Sequence, residues 1–379
     1  MAFLHGVEVV ELEGGPRPIT NVASSVIGLV GTATKGPVNE PVLIAGSRKE
    51  AVEKFGAANG SGTIPEALEA IFDQGGAMVV VINVLDPANI SDLGNSSKTV
   101  NIEDGLHALL SAESKVHVTP RIIVAPGFCQ QQGVVDVLIE VADRLRAVAI
   151  VDGPDTTNEE AIAFRKNIDS ARVYLVDPKV HIFDKASDTE VVQPASARVA
   201  GVIARSDSDR GFWWSPSNRT VAGITGTSRG IDFALGDSLA TANRLNENQV
   251  ATIIHQNGYR LWGNRSCSSD PKFAFLSVRR TADLINDSLL RAHLYAVDRN
   301  ITKTYIEEVT ESVNNYLRFL KSIGAIIDGK CYADPELNTP DNIAQGKVFI
   351  DFDFTPPYPA EHITFRSSLV NDYLEEIFA

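Results

Sequence analysis

The sequence predicts two fold classes in series, a doubly wound α/β domain followed by an α+β domain, with an extended arm at each end of the chain. Three observations carry this prediction. Apolar runs at residues 121–125, 147–151 and 172–176 are separated by helical stretches at 134–146 and 158–168, and strands buried on both faces with crossover helices between them make a parallel sheet. Beyond residue 280 the period lengthens into two amphipathic helices and then shortens to a strand alternation. Clusters of glycine and proline at 14–18 and 356–359 hold strand-like ends away from both domains.

In chain order, the first domain opens with a strand at 26–30, a turn at Lys35-Gly36-Pro37, a strand at 41–44, helices at 47–55 and 64–73, and a buried strand at 78–85. The stretch 86–118 is rich in Asn, Ser and Asp, with a short helix near 105–112, and reads as a variable surface insertion. After the three sheet strands a helix is expected at 195–205, then turn-rich loops at 211–218 and 223–230. The last third gives strands at 251–255 and 259–262, a helix at 281–297, and a second helix at 302–323 with Ile306, Val309, Val313, Leu317 and Leu320 on one stripe. Strands follow at 325–327 and 347–354, the latter setting Val348, Ile350, Phe352 and Phe354 against Asp351 and Asp353. The predicted division is an arm at 1–21, an α/β domain at 22–235, an α+β domain at 236–358 and an arm at 359–379.

Composition narrows the function classes. A net charge of −14 disfavours capture by nucleic acid or an anionic membrane, both of which need a basic surface. The longest apolar runs are the length of one buried strand, short of the roughly 20 residues a membrane span needs, and Glu8 interrupts any signal-like run at the N-terminus. Cys129, Cys267 and Cys331 are odd in number and far apart, giving neither a disulfide framework nor zinc spacing.

Motifs that promise chemistry fail in context. Gly226-Thr227-Ser228-Arg229-Gly230 fits the string of a nucleophile elbow, which would make the chain an α/β hydrolase using Ser228. Yet Ile231, Phe233 and Leu235 alternate with Asp232 and Ala234, so extended chain follows where a helix is required. The segment 324–331 nearly matches a phosphate-binding loop, but Cys331 replaces the metal-binding hydroxyl, and a helix precedes the segment instead of following it. The seven histidines fall in separate elements without the i, i+4 spacing of a metal pair. Carboxylate pairs such as Glu307 and Glu308 sit in first turns of helices, where the macrodipole favours them. No catalytic, cofactor-binding or metal-binding residue is predicted, and no cofactor.

The ends are different. Residues 7–12 (Val7, Val9, Leu12) and 362–369 (Ile363, Phe365, Leu369) have strand content without a local partner, and such strands fold back, stay solvated or add to another molecule's sheet edge. The alternating strand with Val348, Ile350, Phe352 and Phe354 is the expected acceptor. On the second long helix, Glu307, Glu311, Arg318 and Lys321 form a polar face free to meet a partner.

Several strings together are familiar: Ala23-Ser24-Ser25-Val26-Ile27-Gly28-Leu29, Gly211-Phe212-Trp213-Trp214-Ser215-Pro216-Ser217-Asn218, Gly258-Tyr259-Arg260-Leu261-Trp262-Gly263-Asn264-Arg265, and Tyr332-Ala333-Asp334-Pro335-Glu336-Leu337-Asn338. The set resembles the sheath subunit of contractile phage tails, most closely that of R-type pyocins and related temperate myoviruses, over nearly the whole chain except about 86–118. The resemblance implies a non-enzymatic subunit that polymerises as a helical sleeve around a tail tube and contracts to drive the tube through a cell envelope. It also implies an outward α/β domain, a tube-proximal C-terminal domain, arms that reach neighbouring subunits, and self, tail tube, baseplate and tail terminator as partners. Location in a virion tail or bacteriocin particle, after assembly in the host cytoplasm, follows. The sheath of another contractile injection system, such as a toxin-delivery particle, is the alternative.

Overall fold

A computed structural model describes residues 19–58, 62–85, 98–184 and 187–371, with 373 and 377. Its centre is an eight-stranded sheet. The strands are β1 (Ile27–Gly31), β2 (Val42–Ala45), β3 (Met78–Asn83), β4 (Ile122–Val124), β5 (Val148–Asp152) and β6 (Val173–Val176); then, after β7 (Val180–Asp184), β8 (Thr189–Gln193) and β9 (Gly226–Thr227), come β10 (Val250–His255) and β11 (Tyr259–Trp262). The order is β11-β10-β6-β5-β4-β1-β3-β2, parallel except for the outermost pair on each side. β7, β8 and β9 form a separate three-stranded sheet, and its β7–β8 hairpin was not among the elements expected from the sequence.

Alternate residues of each central strand enter two different cores, as a sheet covered on both faces requires. Ile27, Leu29, Ile122, Val124, Ile150 and Tyr174 pack on one face with α1 (Arg48–Phe55), α2 (Thr63–Phe72) and α7 (Ser196–Arg210). Val26, Val30, Ile123, Ala149, Val151 and Val173 pack on the other, beneath α3 (Lys98–Ala108), α4 (Ala112–Val116), α5 (Gln132–Leu145) and α6 (Asn158–Lys166).

Two expectations change here. The insertion read as surface contributes Ile102, Leu106, Leu109 and Ala112 to the second core, all buried. Its Ile-Leu-Leu spacing is that of a packed helix, and Gly105 lets α3 lie against the sheet, since a Cβ there would stand 2.3 Å from Val84. Residues 86–97 of that stretch lie outside the described residues. The boundary expected at 235/236 also precedes β10 and β11, which α8 (Thr241–Glu247) leads into the central sheet beside β6.

The remainder is a thinner lobe. It comprises α9 (Leu276–Ala292), α10 (Lys303–Ser322), β12 (Asp328–Ala333), α11 (Pro340–Ala344) and β13 (Ile350–Thr355). Thr302 caps α10, its hydroxyl accepting from the Tyr305 amide at 3.1 Å, and Gly324 ends it at a positive φ of 79°. The α10 stripe buries Val313, Tyr316, Leu317 and Leu320 against Leu284, Ile285 and Leu289 of α9; Val309 is buried too, while Ile306 is only half-buried. The strand expected at 325–327 begins instead at Asp328, and among the described residues β12 pairs, antiparallel, with β13 alone.

Candidate functional site

Around Ser228 the structure has built a clamp. The Ser228 hydroxyl donates to the Asp155 carboxylate, and its amide bonds the Lys179 carbonyl at 3.0 Å. Arg229 pairs with buried Asp177 and bonds Asn158 at 3.1 Å. The hydroxyl proton is therefore held by a carboxylate, and no helix follows Gly230. The loop fastens β7 to the ends of β5 and β6; it is not a nucleophile elbow. The phosphate-loop-like segment becomes the end of α10 and strand β12, with no helix N-terminus to meet an anion. Among the described residues no three metal-binding side chains cluster, and no helix is long and apolar enough to cross a membrane. The three cysteines are free and buried, and burial pushes the thiols of Cys129 and Cys267 up to about 12.

Glu307, Glu311, Arg318 and Lys321 are all exposed on α10. Each already has a partner in the chain: Lys303 stands 3.7 Å from Glu307, Arg318 pairs with Glu311, and Lys321 lies 2.7 Å from Asp328. The Lys321 ammonium and the Gly329 amide hold the Asp328 carboxyl below its ordinary range. Asn314, on the same helix, faces the strand instead. Its amide nitrogen donates to the Cys331 carbonyl at 3.0 Å and its oxygen accepts from the Cys331 amide at 2.9 Å.

Ile350, Phe352 and Phe354 lie half-buried against the lobe's core, with the two phenyl rings stacked 6.1 Å apart. Val348 falls before β13 begins. After Thr355 the chain runs through Pro356, Pro357 and Pro359, with Tyr358 edge-on to Phe275 at 6.2 Å. Glu361 then makes a two-pronged ion pair with Arg265, at 2.7 and 2.5 Å. Beyond this anchor no strand forms among the described residues: Ile363, Phe365 and Leu369 are 67, 92 and 100% exposed. Val7, Val9 and Leu12 lie outside the described residues.

What the sequence reading missed is the joint between lobe and sheet. Arg280 of α9 holds Asp207 of α7 at 2.8 and 2.5 Å, both buried, and Asp207 also accepts from Ser24 and Ser25. Asp283 receives Arg172 and Arg279; Asp287 receives Arg121 and Arg291. The i, i+4 repeat Arg279, Asp283, Asp287, Arg291 was the available signal, but such spacing usually marks an exposed helix face.

Comparison with known proteins agrees with this architecture along its length. Residues 24–84 match the tail sheath protein Gp18 domain III N-terminal region, residues 102–267 the phage tail sheath protein central domain, and residues 268–369 the phage tail sheath C-terminal domain. A putative prophage major tail sheath protein of Pseudomonas aeruginosa (strain UCBPP-PA14) is 43% identical over 100% of this chain and 99% of its own. The tail sheath protein of Escherichia phage P2 is 35% identical over 99% and 98%. Among solved structures, the sheath complex of an extracellular contractile injection system (PVC) in the contracted state superposes with a TM-score of 0.73 at 19% identity, over 98% of this chain and 99% of that one. The contracted helical sheath of the anti-feeding prophage gives 0.72 at 21%, over 97% and 99%. The chain thus belongs to the phage tail sheath protein family, the structural subunits of contractile tails.

Proposed function

We propose that this subunit joins its sleeve by lending its C-terminal arm, residues 362–369, to the open edge of β13 on a neighbouring copy. The observation that carries the reading is the pairing of an unused strand with an unused edge. Ile363, Phe365 and Leu369 share one face of an extended arm, as Ile350, Phe352 and Phe354 share one face of β13. Arg366 falls on the arm's other face and Asp351 and Asp353 on that of β13, so charge is complementary too. The uncovered strand β8 fits less well, since Val191 and Val192 point to opposite faces. Val7, Val9 and Leu12 support the same role for the N-terminal arm.

Burying three large apolar side chains stabilises by about 1.5–3 kcal/mol each. Free association costs about 4–15 kcal/mol, so a single arm holds poorly and a lattice of arms holds well. A subunit of this kind stays soluble until a nucleus, such as a baseplate, presents many edges at once. In the same reading the cofactor-free, non-enzymatic chain forms a helical homo-oligomer with the C-terminal domain, after residue 267, toward the tube and the α/β domain outward. The exposed polar face of α10 meets the tail tube, and baseplate and terminator proteins bound the sleeve in a virion or bacteriocin tail assembled in the host cytoplasm.

Deleting residues 360–379 is expected to leave a soluble monomer with unchanged circular dichroism that no longer sediments as sleeves. Truncated protein that still forms long polymers would overturn the arm reading.

A further inference from the structure

The two-stranded sheet formed by β12 and β13 has two outer edges, and the structure treats them differently. In an antiparallel ladder the main-chain groups of every second residue point away from the partner strand. On β12 these outward groups belong to Gly329, Cys331 and Ala333. At the middle residue both groups are occupied, the Asn314 amide making the paired 3.0 and 2.9 Å bonds to Cys331, and beside it the Asp328 carboxylate accepts from the Gly329 amide at 2.9 Å. A primary amide that donates to a residue's carbonyl and accepts from its N–H repeats what a peptide group of an added strand would do. On β13 the residues opposite Gly329 and Cys331 are Phe354 and Phe352, and their outward groups meet no partner among the described residues.

We propose that Asn314, with Asp328, closes the β12 edge by imitating a strand, so that the arm of a second copy adds only on the β13 side. The inference rests on the arm reading above and specifies its direction. A single open edge means that further strands stack outward from β13, away from α10. The face of α10 carrying Glu311, Arg318 and Lys321 then stays clear of arms however many copies join. α10 packs along β12, and the Asn314 bridge satisfies the edge groups that an incoming strand would otherwise use; without it, arms could compete for two registers.

The test uses the full chain assembled into sleeves. Thr364→Cys on the polar face of the arm is combined with Asp351→Cys or Asp353→Cys on β13, or with Lys330→Cys or Tyr332→Cys on β12. Disulfide formation needs Cα atoms within about 7 Å, so each pair reports one edge. Oxidation is expected to give ladders of linked subunits with positions 351 or 353 and none with 330 or 332. In Asn314→Ala, links to β12 are expected to rise to at least about a tenth of those to β13. Asn314→Asp keeps the oxygen that accepts from Cys331 and loses the donor; it is expected to show the β12 links more weakly and serves if the alanine variant does not fold. Equal ladders on both edges with Asn314 intact would overturn the one-sided edge and leave the arm reading standing. Links confined to β13 in both Asn314 variants would remove Asn314 as the cause. Sleeves that form with no link at any of the four positions would overturn the arm reading itself.

Discussion

The eight-stranded sheet and the two-stranded sheet of this subunit are built from the same kind of strand, and they end differently. At one margin of the large sheet, β11 is covered by the loop after the tryptophan pair: Val221 bonds Tyr259, and Leu261 bonds Arg219, both at 2.9 Å. At the other margin, Lys54 reaches the Leu43 carbonyl at 3.1 Å and Glu50 accepts from the Ala45 amide at 3.3 Å, closing β2 with an i, i+4 pair from α1. The small sheet is held on one side by Asn314 and bare on the other, and the apolar side chains of β13 are only half-buried. The large sheet is a finished object, whereas the β13 edge of the small one is left open among the described residues, which is what the arm proposal uses.

The largest test of that division strikes the joint between them. Asp207→Ala leaves Arg280 buried without its carboxylate, and breaking such a pair costs about 3–5 kcal/mol. Denaturant unfolding of the unassembled chain is expected to show this loss; a change below about 1 kcal/mol would mean that lobe and sheet are not held by this contact.

A second test addresses the large sheet alone. Asp152 is buried at the end of β5, where it accepts from the Ser196 amide at 2.8 Å and from its hydroxyl at 2.5 Å. Burial pushes its carboxyl up to about 6, against the opposing Ser196 bonds. A carboxyl raised in the folded state favours folding fully only below the ordinary carboxylate range, and that advantage is lost as pH rises through about 6. Asp152→Asn cannot ionise. It is expected to become relatively more stable than the parent between pH 4 and 6, by up to about 3 kcal/mol at neutral pH, and a pH-independent difference would refute the assignment.

The smallest effect on folding is expected on the lobe's polar face. Reversing Arg318 and Lys321 to Glu changes exposed pairs only, so the unfolding midpoint should hardly move and sleeves should still form. Co-sedimentation with tube protein should fall, because such charges steer and register a partner. Unchanged loading would place the tube contact elsewhere.

Legibility in the sequence followed the same line. The strands at 121–125, 147–151 and 172–176 were readable because residues buried on both faces leave unbroken apolar runs. β10 and β11 were readable as strands but not as members of the large sheet, since pairing over some 75 residues leaves no local mark. The hairpin β7–β8 was missed because Phe183 and Val192 are exposed and its pattern is mixed. The segment holding Leu106 and Leu109 was misjudged because the Asn- and Ser-rich stretch before it set the tone for the whole. Asn314 falls between Glu311 and Arg318 of the face expected to be polar and free; only the position of β12 reveals that its amide is held by Cys331.

The anchor at the root of the C-terminal arm has a mechanical meaning. From Thr355 to Glu361 the chain is proline-rich, and six residues at about 3.1 Å each span about 19 Å. While Arg265 grips Glu361, that length is taken up along the subunit's own surface and the arm departs from a fixed point. Under the proposed arm exchange, the Arg265–Glu361 pair would fix the point from which each arm leaves its subunit, and with it open the chain beyond Tyr358 would be free to swing toward a neighbour.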